Sequence, residues 1–196
     1  MIEAKIGGVK VQFTFFFFAI LTLFLLSDRT GLTFWGILAA LMHEGGHILA
    51  FILTGNIPKK ISFDLCGIRI VEAGPYASYR QEAVILAAGS LVNLCCFLLL
   101  YWQLGWKFSQ IAVLHLVLGI FNLLPIWSLD GGKLVHLICM QFCSMRTANW
   151  VTYLLSGVTL LLLLGASIWH LRIEKNFSLL MVSGFLLFSL WKEIKK

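Results

Sequence analysis

The sequence predicts an all-α polytopic membrane protein with about six transmembrane helices and a small interfacial β-hairpin between the second and third spans. The 196 residues are 60% hydrophobic and 12% charged, whereas soluble domains average about 45–50% apolar and about 25% charged residues. A chain with a mean hydropathy of +0.92 cannot hide its apolar side chains inside so small a globule. A soluble domain and a disordered chain are therefore excluded. The 15 lysines and arginines are spread along the chain, so no nucleic-acid partner is predicted.

Uncharged runs long enough to cross a bilayer place the predicted transmembrane helices. The first run includes consecutive phenylalanines from Phe15 to Phe18. Another run, 134–145, is too short to cross and predicts an interfacial or half-helix. The last run is also short and would require tilt adjustment or local thinning of the bilayer. The six predicted spans are 11–27, 31–58, 83–106, 108–129, 147–171 and 176–191.

Positive charge predicts the orientation of these spans. With six spans, most of the 15 lysines and arginines fall on the side that holds both termini, and cytoplasmic loops carry an excess of these residues. Both termini of this multi-pass cell-membrane protein are therefore predicted to be cytoplasmic. The N-terminus lacks the cleavage site of a signal peptide, so the first span is expected to be retained. A single membrane-embedded domain is predicted over residues 1–196, with core spans at about 31–130.

The long polar interval at residues 56–82 contains the predicted β-hairpin. Apolar and polar side chains alternate over residues 61–65 and again over 68–72, on either side of Cys66-Gly67. Backbone edges cannot face hydrocarbon, so the hairpin is expected at the interface or against the helices. Its edge could pair with an extended peptide. A simple connecting hairpin is the alternative.

A charged cluster interrupts the second predicted span. His43, Glu44 and His47 form an H-E-x-x-H pattern, which on a helix places two imidazoles on one face where both can bind zinc, with the glutamate as general base. Ionised side chains in mid-bilayer cost roughly 3 kcal/mol each unless they are paired or coordinated. The context therefore favours a metal site. One alternative is a buried cluster of polar side chains that joins two helices. Another is a proton or ion pathway.

A catalytic zinc usually has three protein ligands and a water molecule, so a third ligand must come from elsewhere. Asp130 is the other acid at the end of a predicted span, within the segment from Asn122 to Gly132. Pro125 and the glycine pair break helical geometry there, and unwound backbone in a membrane is tolerated where it lines a cavity. Spans two and four run in the same direction, so His47 and Asp130 are both expected near the cytoplasmic leaflet. An ordinary helix-ending Asp-Gly turn is the alternative.

Two motifs in this order, His43-Glu44-x-x-His47 and Asn122-x-x-Pro125-x-x-x-Leu129-Asp130-Gly131, resemble those of the site-2 proteases, which are intramembrane zinc metalloproteases. The resemblance implies one Zn²⁺ per chain, bound by His43, His47 and Asp130. It implies that Glu44 is the catalytic base and that Asn122 positions the substrate backbone. Two positions depart from the family pattern: Ser90 follows Gly89 where the family often has proline, and Ser128 also replaces a frequent proline.

The same resemblance implies the class of substrate. A membrane-associated precursor sigma factor of the sporulation type is expected, and anti-sigma factors or signal-peptide remnants are the alternatives within the family. The lipid bilayer and a membrane-protein inhibitor are the other implied partners. A metal-ion or proton transporter is the alternative of another class. Such a transporter typically has repeated half-domains with matching broken helices, and the sequence has no internal repeat.

Overall fold

A computed structural model gives the fold of the chain. It describes all residues except 1, 7–8, 16–18, 20–21, 23–24, 27, 29, 56–57, 65–66, 73–77, 105–108, 176 and 196. The strands are β1 (Ile2–Ile6), β2 (Val9–Phe13), β3 (Pro58–Asp64) and β4 (Gly67–Glu72). The helices with defined bounds are α1 (Leu32–Leu53), α2 (Tyr79–Leu104), α3 (Ser109–Asn122), α4 (Asp130–Phe142), α5 (Met145–Glu174) and α6 (Ser178–Ile194).

The four strands form one sheet in the order β1-β2-β3-β4. β1 and β2 are antiparallel, β2 is parallel to β3, and β3 and β4 form an antiparallel hairpin. The hairpin predicted between spans two and three is therefore confirmed, although it is half of a larger sheet. Residues 11–13 were predicted to begin the first span, and this boundary is wrong because they end β2, where apolar and polar side chains alternate. Much of the rest of span 11–27 lies outside the described residues.

Helix α1 is shorter than the predicted span 31–58, because the chain leaves helical geometry at a glycine on each side. Gly31 and Gly55 have φ angles of 75° and 74°, a left-handed conformation that glycine adopts without a steric penalty. Before the helix, the Asp28 carboxylate accepts hydrogen bonds from the Thr30 hydroxyl and backbone N–H and from the Thr33 N–H, each at 2.7 Å. These bonds, the Thr30 hydroxyl first, hold the pKa of Asp28 well below its ordinary value.

Three helices of the described chain are long and apolar enough to cross a membrane: Leu32–Leu53, Tyr79–Gln103 and Met145–Ile173. The helix Gln110–Asn122 is apolar but shorter. The fourth predicted span ends at Asn122 and not at residue 129, because Pro125 follows within one turn and a proline cannot continue the backbone hydrogen-bond ladder. The prediction of a mostly helical membrane protein with a small sheet is confirmed.

The chain divides into two compact units, residues 1–120 and 121–196. In the first unit, Ala50 and Phe51 of α1 form a buried apolar cluster with Ile85 of α2. In the second unit, the buried cluster joins the turn after α3 to α5 and α6, through Ile126, Leu160, Leu186 and Leu190. The single domain predicted over residues 1–196 stays a prediction.

Candidate metal centre

His43 and His47 lie one turn apart on the face of α1 that packs against α2. Both are buried, with 4% and 7% of their surface exposed. Their rings meet edge to face with centroids 4.8 Å apart, and the two Nε2 atoms are separated by 3.2 Å. Two nitrogens at ordinary distances from a tetrahedral zinc ion lie about 3.3 Å apart. The spacing of the two imidazoles therefore fits one zinc ion.

A backbone carbonyl of α2 fixes the orientation of His47. The Ile85 carbonyl oxygen lies 2.7 Å from His47 Nδ1. Because a carbonyl only accepts, Nδ1 carries the proton and donates it, which leaves the lone pair of Nε2 available for a metal. Metal-binding histidines typically hold their second nitrogen in this way, since the bond fixes both the tautomer and the plane of the ring.

Two glycines allow α1 and α2 to approach closely at the imidazoles. A Cβ atom on Gly89 of α2 would lie 2.4 Å from His47 Nε2 and 2.8 Å from His43 Cε1. A Cβ atom on Gly46 of α1 would lie 2.9 Å from the carbonyl oxygen of Ala88. Neither contact is possible for a real side chain without movement. Glycine at these positions therefore lets the imidazoles lie directly against the neighbouring helix.

One turn beyond Gly89, a polar pair joins α2 to α3. Asn93 is fully buried and its Oδ1 atom lies 3.1 Å from Nδ1 of His115, which is 4% exposed. This hydrogen bond was not predicted from the sequence. The signal in the sequence was the asparagine within an apolar run. Helix α2 continues unbroken through Ser90, so the serine that replaces proline maintains a regular helix.

Asp130 is the first residue of α4 in the second unit, and a glycine pair shapes the turn that precedes it. Cβ atoms on Gly131 and Gly132 would each lie 2.1 Å from a backbone oxygen, that of Leu123 and that of Ile126 respectively. The turn therefore packs directly on the start of the helix. Helix N-termini favour negative charge, so this position suits a carboxylate.

Side chains from α4 and α5 hold the same turn. The Ser156 hydroxyl accepts a hydrogen bond from the Trp127 N–H at 2.9 Å, and it lies 2.7 Å from the Thr152 carbonyl and 3.1 Å from that of Pro125. The Trp127 ring meets His136 edge to face, with centroids 4.9 Å apart.

The Asp130 carboxylate is largely buried and has a weak ionic neighbour. Its side chain is 13% exposed, and Lys133 Nζ lies 3.6 Å from Oδ1. His43 and His47 of the first unit each offer an imidazole nitrogen and Asp130 of the second unit offers a carboxylate oxygen, which are ligand types that zinc accepts. Two imidazoles and a carboxylate are a donor set typical of zinc. The three residues therefore fit a zinc ion in their chemistry, and the two imidazoles fit it in their spacing as well.

The other predicted site residues have known positions but untested roles. Glu44 follows His43 on α1 and is half-buried, and Asn122 is the last residue of α3 and is also half-buried. Their assignments as base and substrate-positioning residue stay predictions. Cys95, Cys96, Cys139 and Cys143 are free cysteines.

Comparison with known proteins gives a family match. The model of peptidase family M50 matches residues 102–166. This segment contains the Asn122–Gly132 region but not the histidine pair.

Two characterised relatives extend the match along the chain. Stage IV sporulation protein FB of Bacillus subtilis (strain 168) is 27% identical over 174 residues, which is 82% of this chain and 57% of the relative. Zinc metalloprotease MJ0392 of Methanocaldococcus jannaschii is 23% identical over 96% of this chain and 59% of the relative. The chain therefore spans less than three fifths of the length of each relative.

The fold has a counterpart among solved structures. The Site-2 Protease from Methanocaldococcus jannaschii superposes with a TM-score of 0.69 at 22% identity, covering 98% of this chain and 94% of that one. The sequence matches and the fold agree with the two motifs, and they confirm the resemblance of this chain to the site-2 proteases of peptidase family M50.

Proposed function

We propose that this chain is an intramembrane zinc metalloprotease that hydrolyses a peptide bond in or near the membrane. One observation carries the proposal: two buried imidazoles, with Nε2 atoms 3.2 Å apart, lie on a helix that is long and apolar enough to cross a bilayer. Such a pair is costly in an apolar environment unless it serves a bound ion or a reaction. The family match and the named metalloprotease relative support the same activity.

His43, His47 and Asp130 bind one Zn²⁺ per chain in this proposal. The hydrogen bond from His47 Nδ1 to Ile85 supports the role of Nε2 as ligand, and the largely buried carboxylate of Asp130 at the start of α4 supports it as the third. When bound, the ion supplies the Lewis acidity that peptide hydrolysis requires. The protein fixes the tautomer and the ring orientation of His47, and Gly89 allows α2 to pack closely against the two imidazoles.

Glu44 is the general base in the proposed reaction. Its carboxylate accepts a proton from the attacking water as the water oxygen bonds to the scissile carbonyl carbon. The C–N bond then breaks, and Glu44 returns the proton to the departing amine nitrogen. The position of Glu44 next to His43 on α1 supports this assignment, since it shares the helix segment of the two imidazoles.

The substrate is bound in extended form. A transmembrane helix must first unwind at the scissile bond, because its carbonyls are otherwise hydrogen-bonded and covered by side chains. β4 is one of the two edge strands of the described sheet, and in this proposal its outer backbone edge pairs with such a segment. The Asn122 amide, at the end of α3, binds the substrate backbone.

The substrate we favour is a membrane-associated precursor sigma factor. The relative named as a stage IV sporulation protein supports a sporulation role. We also propose that both termini are cytoplasmic and that the active site lies nearer the cytoplasmic leaflet, on the basis of the distribution of lysine and arginine. Anti-sigma factors and signal-peptide remnants are the competing substrates.

Glu44→Gln tests the reaction. The full chain is reconstituted in vesicles with a tagged, membrane-tethered precursor sigma segment, and cleavage is followed with time. Loss of the base lowers the rate by about 10²–10⁴-fold, with zinc content and helicity unchanged. Glu193→Gln, on α6, is the matched control and keeps full activity. Cleavage by Glu44→Gln at the wild-type rate would reject the assigned base, and cleavage of only an anti-sigma substrate would reject the substrate.

Asp130→Asn tests the metal site separately. The variant is expected to lose zinc on dialysis against a weak chelator, whereas wild type and the matched control Asp28→Asn retain one equivalent. Zinc analysis of the three purified proteins measures the difference. A full equivalent of tightly held zinc in Asp130→Asn would reject Asp130 as the third ligand.

A further inference from the structure

Three lysines form a row across three neighbouring strands of the sheet. Lys5 of β1 pairs with Lys10 of β2, and Lys10 pairs with Lys60 of β3. Residues directly opposite each other in a sheet point to the same face, and strands lie about 4.8 Å apart, so the three Cα atoms lie within about 10 Å. Lys5 and Lys10 are exposed and Lys60 is half-buried. We call these residues the lysine row.

Among the described side chains of the sheet, the lysine row has more positive charge than its face balances. On the same face, Glu3 of β1 lies two residues from Lys5 and supplies one negative charge against three positive ones, and its carboxylate also accepts a hydrogen bond from the Gln12 side-chain amide. Like charges directly opposite each other destabilise a sheet. The row is therefore expected to attract an anion.

The sheet lies at the end of two membrane helices. β3 begins at Pro58, shortly after α1 ends, and β4 ends at Glu72, shortly before α2 begins. The two helices are antiparallel, because His47 bonds to Ile85 while Gly46 contacts Ala88 and Gly89 further along α2. Both are long and apolar enough to cross a bilayer. The sheet that joins them is therefore held near one surface of the membrane.

We propose that the lysine row binds the phosphate of anionic lipid headgroups at that surface. Lysine ammonium groups bind phosphate as point charges, and basic residues beside a membrane attract anionic lipids. A row of three matches an extended line of headgroups better than it matches one small ion. This site is distinct from the candidate metal centre, and its test does not depend on peptidase activity.

Lipid selectivity of the full chain provides the test. The protein is reconstituted in phosphatidylcholine vesicles with spin-labelled phosphatidylglycerol or spin-labelled phosphatidylcholine, and the immobilised fraction is measured at low salt. Wild type is expected to prefer phosphatidylglycerol, and the preference should weaken as salt screens it. In the triple variant Lys5→Gln, Lys10→Gln, Lys60→Gln, the preference for phosphatidylglycerol should fall by about fivefold for each lysine that is replaced. Lys10→Arg, which keeps the charge, should retain it.

A matched triple variant removes the same charge elsewhere. Lys175, Lys192 and Lys195 are exposed outside the sheet, and their replacement by glutamine should leave most of the preference intact. An equal loss in both triple variants would overturn the proposal, because net charge alone would explain it. If the row variant unfolds, as judged by circular dichroism, Lys10→Gln alone removes the central charge and must still lower the preference.

Two competitors distinguish other anions from lipid. Inorganic phosphate at millimolar concentration should not displace phosphatidylglycerol, and complete displacement would identify a free-phosphate site and reject the lipid. A short polyglutamate peptide serves as a model of an acidic protein segment. If the row variant loses peptide binding but keeps its lipid preference, the row is a protein-binding surface and the proposal is wrong.

Discussion

Two regions of the chain pack closely through glycine, but the groups that fill the space differ. Between α1 and α2, the missing Cβ of Gly89 leaves room for two imidazoles. At the start of α4, the missing Cβ atoms of Gly131 and Gly132 leave room for backbone carbonyls. Side chains can rotate away from an added methyl group, whereas a carbonyl can move only with its backbone. The second region should therefore be the less tolerant of change.

Gly131→Ala should have the largest effect. The added Cβ would lie 2.1 Å from the Leu123 carbonyl oxygen, so the turn or the helix must move. We expect a loss of about 3 kcal/mol or more in the free energy of unfolding, at the upper end of overpacking effects. Denaturant unfolding of the purified full chain measures it. Gly157→Ala, on α5 with nothing within 4 Å of its Cβ, is the control; equal stability of the two variants would contradict the prediction.

Gly89→Ala should affect the metal more than the fold. The new methyl group would overlap His47 Nε2, and the imidazole can move only by giving up its present orientation. We expect zinc affinity to fall by about 10–100-fold, as for other changes next to metal ligands, with a smaller loss of stability than in Gly131→Ala. Competition with a zinc chelator measures the affinity.

Gly45→Ala is the matched control for this experiment. Gly45 lies between the same two histidines in sequence, but its Cβ would meet nothing within 4 Å. Zinc affinity should be unchanged, and an alanine within the helix should add about 0.5–1 kcal/mol of stability. A similar loss of zinc affinity in both variants would show that the contact with Gly89 does not matter.

Ser156→Ala should loosen the turn to a moderate extent. Its hydroxyl accepts the Trp127 N–H, and removal leaves that backbone group without its partner at a cost of about 1–2 kcal/mol. Ser183→Ala is expected to cost less, because the Ser167 hydroxyl still donates to the Leu163 carbonyl. Thermal unfolding compares the two variants. A greater loss in Ser183→Ala would contradict the role given to Ser156.

The smallest effect is expected for Asp28, and it appears in the pH dependence of the melting temperature. Because its folded pKa lies below the ordinary value of 3.8, the ionised carboxylate stabilises the start of α1. This contribution is present above about pH 4 and is lost as the pH falls below that value. The difference in melting temperature between wild type and Asp28→Asn should therefore shrink from pH 7 to pH 3. A difference that stays constant with pH would contradict the assignment.

Local features of the sequence predicted much of the helical part and of the candidate site. The spacing of His43 and His47 places them on one helix face, and Pro125 with the following glycines indicates the break before Asp130. The partner of His47 could not be predicted, because any residue carries the carbonyl that Ile85 supplies. The hydrogen bond between Asn93 and His115 joins two helices, and sequence spacing does not report such pairs.

The N-terminal strands were missed for another reason. The apolar side chains of β2 are closely followed in the sequence by the consecutive phenylalanines, so the strand resembles the start of a membrane span. β2 pairs in parallel with β3, although α1 separates the two strands in the sequence, and no local pattern indicates such a pairing. Sequence patterns that repeat every two or four residues predict single strands and helices. The sheet, however, depends on strands that are distant in the chain.

The parallel pairing of β2 with β3 also constrains the order of biogenesis. β2 is synthesised before α1 and β3 after it, so the early hairpin must wait, with one edge unsatisfied, until the later strand emerges. Contacts between distant segments form slowly. Because both strands belong to one sheet, the chain between Phe13 and Pro58 starts and returns on the same side of the bilayer. An insertion error that left Pro58 on the opposite side would therefore prevent the sheet from assembling, even with every helix intact.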